Sequence, residues 1–78
     1  MTWQDVITID PKVAAGKPVI TGTRLTVDFI IERLADGWSE ETLIEQYPGL
    51  TREQIHGCLA YAAEVLREQT VYLIPARG

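Results

Sequence analysis

The stretch Gly37-Trp38-Ser39-Glu40-Glu41-Thr42-Leu43-Ile44-Glu45-Gln46-Tyr47-Pro48-Gly49-Leu50-Thr51-Arg52-Glu53-Gln54 decides the fold. Gly37 suits the left-handed residue that follows a helix end. Ser39 can cap a new helix, with Glu40 and Glu41 in its first turn facing the positive end of the dipole. Leu43, Ile44 and Tyr47 give that helix a buried side, and Pro48-Gly49 stops it. Thr51-x-x-Gln54 is a capping box that opens another helix. Only Pro48-Gly49-Leu50 joins the two. So short a turn holds two helices at a steep angle, as in helix-turn-helix modules.

A helix precedes this pair. Thr26 caps it and Asp28 lies in its first turn, while Val27, Ile30, Ile31 and Leu34 form one apolar stripe at i, i+3, i+4 and i+7. The third helix is expected to be the longest and to run to about Gln69. Its core stripe is read as Ile55, Leu59, Ala62 and Leu66, with Cys58 and Val65 on the flanks. Upstream, Asp5-Val-Ile-Thr-Ile9 and Pro18-Val-Ile20 are two β-type runs separated by Asp10-Pro11 and Gly16. Downstream, Val71 to Pro75 is a third such run. The expectation is one mainly α domain over 1–78: a short β-hairpin unit at 5–24, a trihelical unit at 26–69, and a C-terminal β-strand with tail at 70–78.

Seventy-eight residues form a small core. Burial of about 60% of the unfolded surface contributes on the order of 120 kcal/mol, and ordering the chain costs about as much. No internal disulfide can close the gap, because Cys58 is the only cysteine, and one Cys with one His does not make a metal cage. A partner subunit is therefore expected. No apolar run is long enough for a membrane span. The N-terminal residues lack the basic and apolar regions of a signal peptide, and a lone free thiol suits a reducing cytoplasm.

Net charge is −4, against a general nucleic-acid coat. It divides unevenly: residues 1–26 carry +1 and residues 27–78 carry −5. An anion-facing surface is expected in the N-terminal third. There Gly16-Lys17-Pro18-Val19-Ile20-Thr21-Gly22-Thr23-Arg24 combines two bends, two hydroxyls and two cations. Lys17, Thr21, Thr23 and Arg24 are candidate phosphate contacts, and the competing reading has Arg24 bracing Asp28. The glycine order is not that of a P-loop. If the third helix is a recognition helix, Arg52 and His56 are its candidate DNA contacts.

His56 and Cys58 stand two apart on one helix, point to different sides, and cannot be a nucleophile and base. No enzyme and no cofactor is expected. Gly57, an unfavourable residue inside a helix, together with Ala60 suggests close approach of another helix or chain. Val71, Tyr72, Leu73 and Ile74 form an apolar edge strand that a second copy, a different protein or the chain's own domain would cover.

Three strings carry a family resemblance: Ile7-x-Ile9-Asp10-Pro11, Gly16-Lys17-Pro18-Val19-Ile20-x-Gly22-Thr23-Arg24, and Gly37-x-Ser39-x-Glu41 with Tyr47-Pro48-x-Leu50-Thr51. With Ile55 and Ala60-Tyr61-Ala62 they resemble the bacterial family numbered 433 among the domains of unknown function, often described as antitoxin-like. The resemblance covers roughly residues 6–66. It implies a homeodomain-like or winged-helix-like trihelical fold and VapB-type antitoxin behaviour. Such a protein binds and blocks a PIN-like ribonuclease toxin and binds operator DNA as a dimer. Arg67 and Arg77 are then candidates to approach the carboxylates of the nuclease. The alternative is a dimeric protein-interaction module that does not touch DNA.

Overall fold

A computed structural model describes residues 2–68. The expected strand and tail at 70–78, with Val71, Tyr72, Leu73, Ile74 and Arg77, lie outside the described residues. A 3-10 turn at Trp3–Asp5 leads into strand β1, Ile7–Thr8. A second tight turn at Ala14–Gly16 leads into β2, Val19–Ile20, and three helices follow: α1 Val27–Ala35, α2 Glu40–Gln46 and α3 Arg52–Glu68. The two strands are antiparallel, with Ile7 opposite Ile20 and Thr8 opposite Val19. The β-type runs of the sequence are longer than the strands they make. Asp10-Pro11 turns the chain away directly after Ile9, which is left half-exposed.

Each helix starts where its cap places it. Thr26 Oγ1 accepts from the Phe29 amide at 3.2 Å and Ser39 Oγ accepts from the Thr42 amide at 3.1 Å. At Thr51 both halves of the capping box form: the Gln54 amide donates to Thr51 Oγ1 and the Thr51 amide donates to Gln54 Oε1. Gly37 and Gly49, both at φ +98, reverse the chain after α1 and α2. This corner geometry was legible in the sequence because caps and stops are local.

The core joins both strands to all three helices through Val6, Ile7, Ile20, Val27, Ile30, Leu43, Leu50, Ile55 and Cys58. The stripe of α3 differs from its expected position. Cys58 is fully buried, whereas Leu59 and Leu66 are exposed and Ala62 is only partly buried. The cause is Gly57. A Cβ built there would lie 2.1 Å from Val6 Cγ2, so the residue preceding β1 occupies the missing side chain's place. That contact rotates α3 to bury the Ile55, Gly57 and Cys58 side. Trp3 reinforces it, packing edge-on against Tyr61 at 4.8 Å and donating from Nε1 to Glu64 Oε1 at 3.1 Å. The close approach expected at Gly57 is thus made by the chain itself. Gly57 is buried, while Ala60 stays exposed.

Candidate functional site: an uncommitted basic cleft and an apolar groove

The turn at 20–23 is closed by the Thr23 amide donating to the Ile20 carbonyl at 3.0 Å. Gly22 takes φ +82 at its third position, which makes it type II and requires glycine. Thr23 is drawn into the turn, its hydroxyl donating to the Ile20 carbonyl and accepting from the Leu25 amide. Thr21 and Thr8 share a hydroxyl hydrogen bond of 2.6 Å across the strands. The two threonines read as phosphate contacts therefore brace the hairpin.

Lys17 and Arg24, expected to flank one surface, line different ones. Lys17 Nζ lies 3.5 Å from Asp28 Oδ2, at the edge of a groove between α1 and α3. It is Lys17, not Arg24, that braces Asp28. The Asp28 carboxyl is held below its ordinary range, first by the Thr26 hydroxyl and then by Lys17. Arg24 lines a cleft of about 580 Å³ with Lys12, Val13, Ala14, Gly22 and Thr23. Lys12 is the site residue that sequence reading missed. Its neighbour across the cleft is twelve residues away, and only the return of β2 beside β1 brings the two together.

The loop carrying Lys12 is unusual. Ala14 and Ala15 take φ +51 and +57, followed by Gly16 at +85. Left-handed conformation costs an alanine about 1–2 kcal/mol. The Gly16 amide donates to the Val13 carbonyl and the Lys17 amide to that of Ala14, which holds the loop in this shape. Lys12 itself is oriented by its amide donating to Asp10 Oδ1 at 2.9 Å.

The other expected DNA contacts are committed elsewhere. Arg52 pairs with Glu40 and with Glu41, the latter at 3.2 Å, and His56 Nε2 meets Glu40 Oε2 at 3.1 Å. Arg52 and Glu41 stabilise each other's charged forms: the Arg52 pKa is raised, and that of Glu41 is lowered, first by its own amide and then by Arg52. The acids at the start of α2 that cap its dipole therefore also cover Arg52 and His56 at the start of α3. Arg33 is likewise engaged, bridging Asp36 at 2.8 Å and stacking over Phe29 and Trp38.

A second surface is apolar. Pro18, Val27, Ile31, Tyr61, Val65 and Leu66 line the α1–α3 groove, about 420 Å³ in volume. Leu66 is 65% exposed, and Leu59, one heptad earlier on α3, is 42% exposed. Among the described residues no group of three or more His, Cys, Asp or Glu side chains could hold a metal, and no helix is long and apolar enough to cross a membrane. Cys58 is buried with its thiol pKa pushed up to about 11 by desolvation, which makes it a poor nucleophile.

These features define a mainly helical module: three helices and a two-stranded antiparallel sheet among the described residues. Residues 7–62 match the family described as "Protein of unknown function (DUF433)", and the chain belongs to that family. It is 34% identical over 59 residues to the uncharacterized protein y4eO of Sinorhizobium fredii (strain NBRC 101917 / NGR234), covering 76% of this chain and 27% of that protein. The chain thus spans about a quarter of the length of that curated relative. It is also similar to the crystal structure of a DUF433 member protein from Anabaena variabilis ATCC 29413. The TM-score is 0.77 at 29% identity, over 83% of this chain and 64% of that one.

Proposed function

We propose that this protein is an antitoxin-type regulator. In this reading it acts in the cytoplasm as a homodimer, captures and blocks a PIN-like ribonuclease toxin, and contacts operator DNA. It performs no chemistry of its own and needs no cofactor. The trihelical unit would be of the homeodomain-like or winged-helix-like kind. The observation that carries the reading is the apolar surface left open on α3 among the described residues, where Val65 and Leu66 line the α1–α3 groove and Leu59 stands exposed one heptad before Leu66. A chain of this size gains by covering such a surface with another protein. Arg67, exposed beside Leu66, would supply a charge to the nuclease carboxylates, and the segment with Val71, Tyr72, Leu73, Ile74 and Arg77 would extend the contact.

The test is binding and inhibition of a PIN-like nuclease encoded beside this protein, measured by calorimetry and by RNA cleavage. Leu59→Asp and Leu66→Asp should each weaken the complex at least about tenfold, since burying a leucine contributes roughly 1.5–3 kcal/mol. Unchanged affinity in both variants would remove the assignment of this surface to the toxin. Light scattering on the purified chain tests the homodimer. The second reading, an interaction module that does not touch DNA, is favoured by the pairing of Arg52 and His56 with Glu40 and Glu41. In that reading a fragment of the protein's own promoter shows no retardation at low salt.

A further inference from the structure

Six cations fall within the described residues, and they divide by commitment. Lys17, Arg33 and Arg52 are each paired with a carboxylate. Lys12, Arg24 and Arg67 pair with no carboxylate among the described residues, and of these Lys12 and Arg24 share one cleft whose lining contains no acid. In a chain of net charge −4, two unneutralised cations lining one cleft are not a by-product of general basicity.

The backbone between them is open as well. Nothing lies within 4 Å of where a Gly22 side chain would begin, so a ligand can approach the main chain there. The amides of Gly22 and Arg24 donate to no acceptor among the described residues, which leaves two N–H donors on residues that line the cleft. The donor set is therefore an ammonium, a five-donor planar fork and main-chain amides, with almost no acceptor to repel an anion. The carboxylate of Asp10 is nearest in sequence, and it accepts from the Lys12 amide.

We propose that this cleft is a phosphate site that takes the phosphodiester backbone of duplex DNA, with Lys12 and Arg24 as its two arms. The proposal rests on the operator-binding part of the reading above and gives it a location other than α3. Both side chains are exposed on an open surface. A small free phosphate is held best by enclosed, converging donors, whereas spaced cations along an open cleft suit a polyanion lying across it. In this proposal the two cations meet phosphates and so position the DNA without reading its sequence.

The test is fluorescence anisotropy of the full chain with a duplex from its own promoter and with an unrelated duplex, over about 50 to 200 mM salt. Lys12→Gln and Arg24→Gln should each lower the salt slope by about 0.9 and weaken both duplexes by about tenfold at low salt, while Arg52→Gln changes neither. Both positions are exposed, and circular dichroism confirms that the variants fold. If DNA binds but the cleft variants bind like the parent, the cleft assignment is overturned and operator binding stands. If no duplex binds at low salt, both fall. Inorganic phosphate at constant ionic strength separates the sources. Submillimolar shifts of the Gly22 and Arg24 amide resonances without DNA binding would make this a small-anion site and overturn the proposal. Variants that weaken only the ribonuclease complex would make it a protein contact, with the same consequence.

Discussion

The corner where α2 meets α3 and the cleft at residues 12–24 hold similar ingredients and opposite chemistry. At the corner Arg52 and His56 face Glu40 and Glu41, and positive charge is neutralised where it stands. In the cleft Lys12 and Arg24 line one surface with no acid among its lining residues, and the positive charge is left available. The corner is made by regular helices whose caps put acids at the start of α2 and a cation at the start of α3. The cleft is made by turns, one of them holding two alanines in left-handed conformation. The difference shows that two capped helices joined by a short turn need not leave the cation of the second one free. What matters is which charges the turn leaves unpaired.

The two regions belong to one body because Val6 fills the gap at Gly57, with Cys58 beside it in the core. The largest expected effect comes from charging that core. Burial raises the Cys58 pKa from an ordinary 9.0 to about 11. The folded value lies above the unfolded one, so this contribution is fully present below about pH 9 and is lost as pH rises toward 11. Two pH units correspond to about 3 kcal/mol. Denaturant midpoints at pH 8 and pH 11 should show that decline, and Cys58→Ala should flatten it while lowering stability at pH 8.

Next in size is Gly57→Ala. An ordinary exposed helix glycine gains about 1 kcal/mol from this change. Here the new Cβ overlaps Val6, a stiff β-branched side chain, and overpacking wins by about 2 kcal/mol. Thermal unfolding measures the loss. Adding Val6→Ala should recover part of it, because the smaller residue makes room for the methyl. If Gly57→Ala alone were stabilising, the link between cleft and helices would not depend on this contact.

The smallest effect sharpens the contrast of charges directly. Glu40→Gln removes a partner from both Arg52 and His56. If DNA is held at the cleft, freeing Arg52 adds at most one phosphate contact, steepening the salt slope by up to about 0.9. A larger gain would mean that the corner is a latent DNA surface. Anisotropy titrations of parent and variant decide between these outcomes.

Much of the fold was legible before the structure, and for one reason. Ser39, Thr26 and the Thr51–Gln54 box act on amides two or three residues away, and Gly37 and Gly49 act on their own backbone angles. Such signals need no knowledge of the rest of the chain. Burial on α3 was misread because Leu59 and Leu66 are as apolar as Ile55, and periodicity alone cannot say which stripe faces inward. The glycine at 57 carried the missing information, yet its partner lies fifty-one residues earlier, at Val6.

The site divides in the same way. Sequence by itself determined that positive charge gathers in the N-terminal third, and that the 16–24 segment turns on glycines. Only the tertiary structure decided which cations remain free. Lys17 and Arg24 line different surfaces, so Lys17 meets Asp28 while Arg24 shares a cleft with Lys12. Arg52 meets acids eleven and twelve residues before it, because the Pro48–Leu50 turn folds α3 back on the start of α2. Electrostatic attraction falls with distance in space and is blind to distance along the chain. Composition therefore counted the charges, and folding chose which of them a partner can reach.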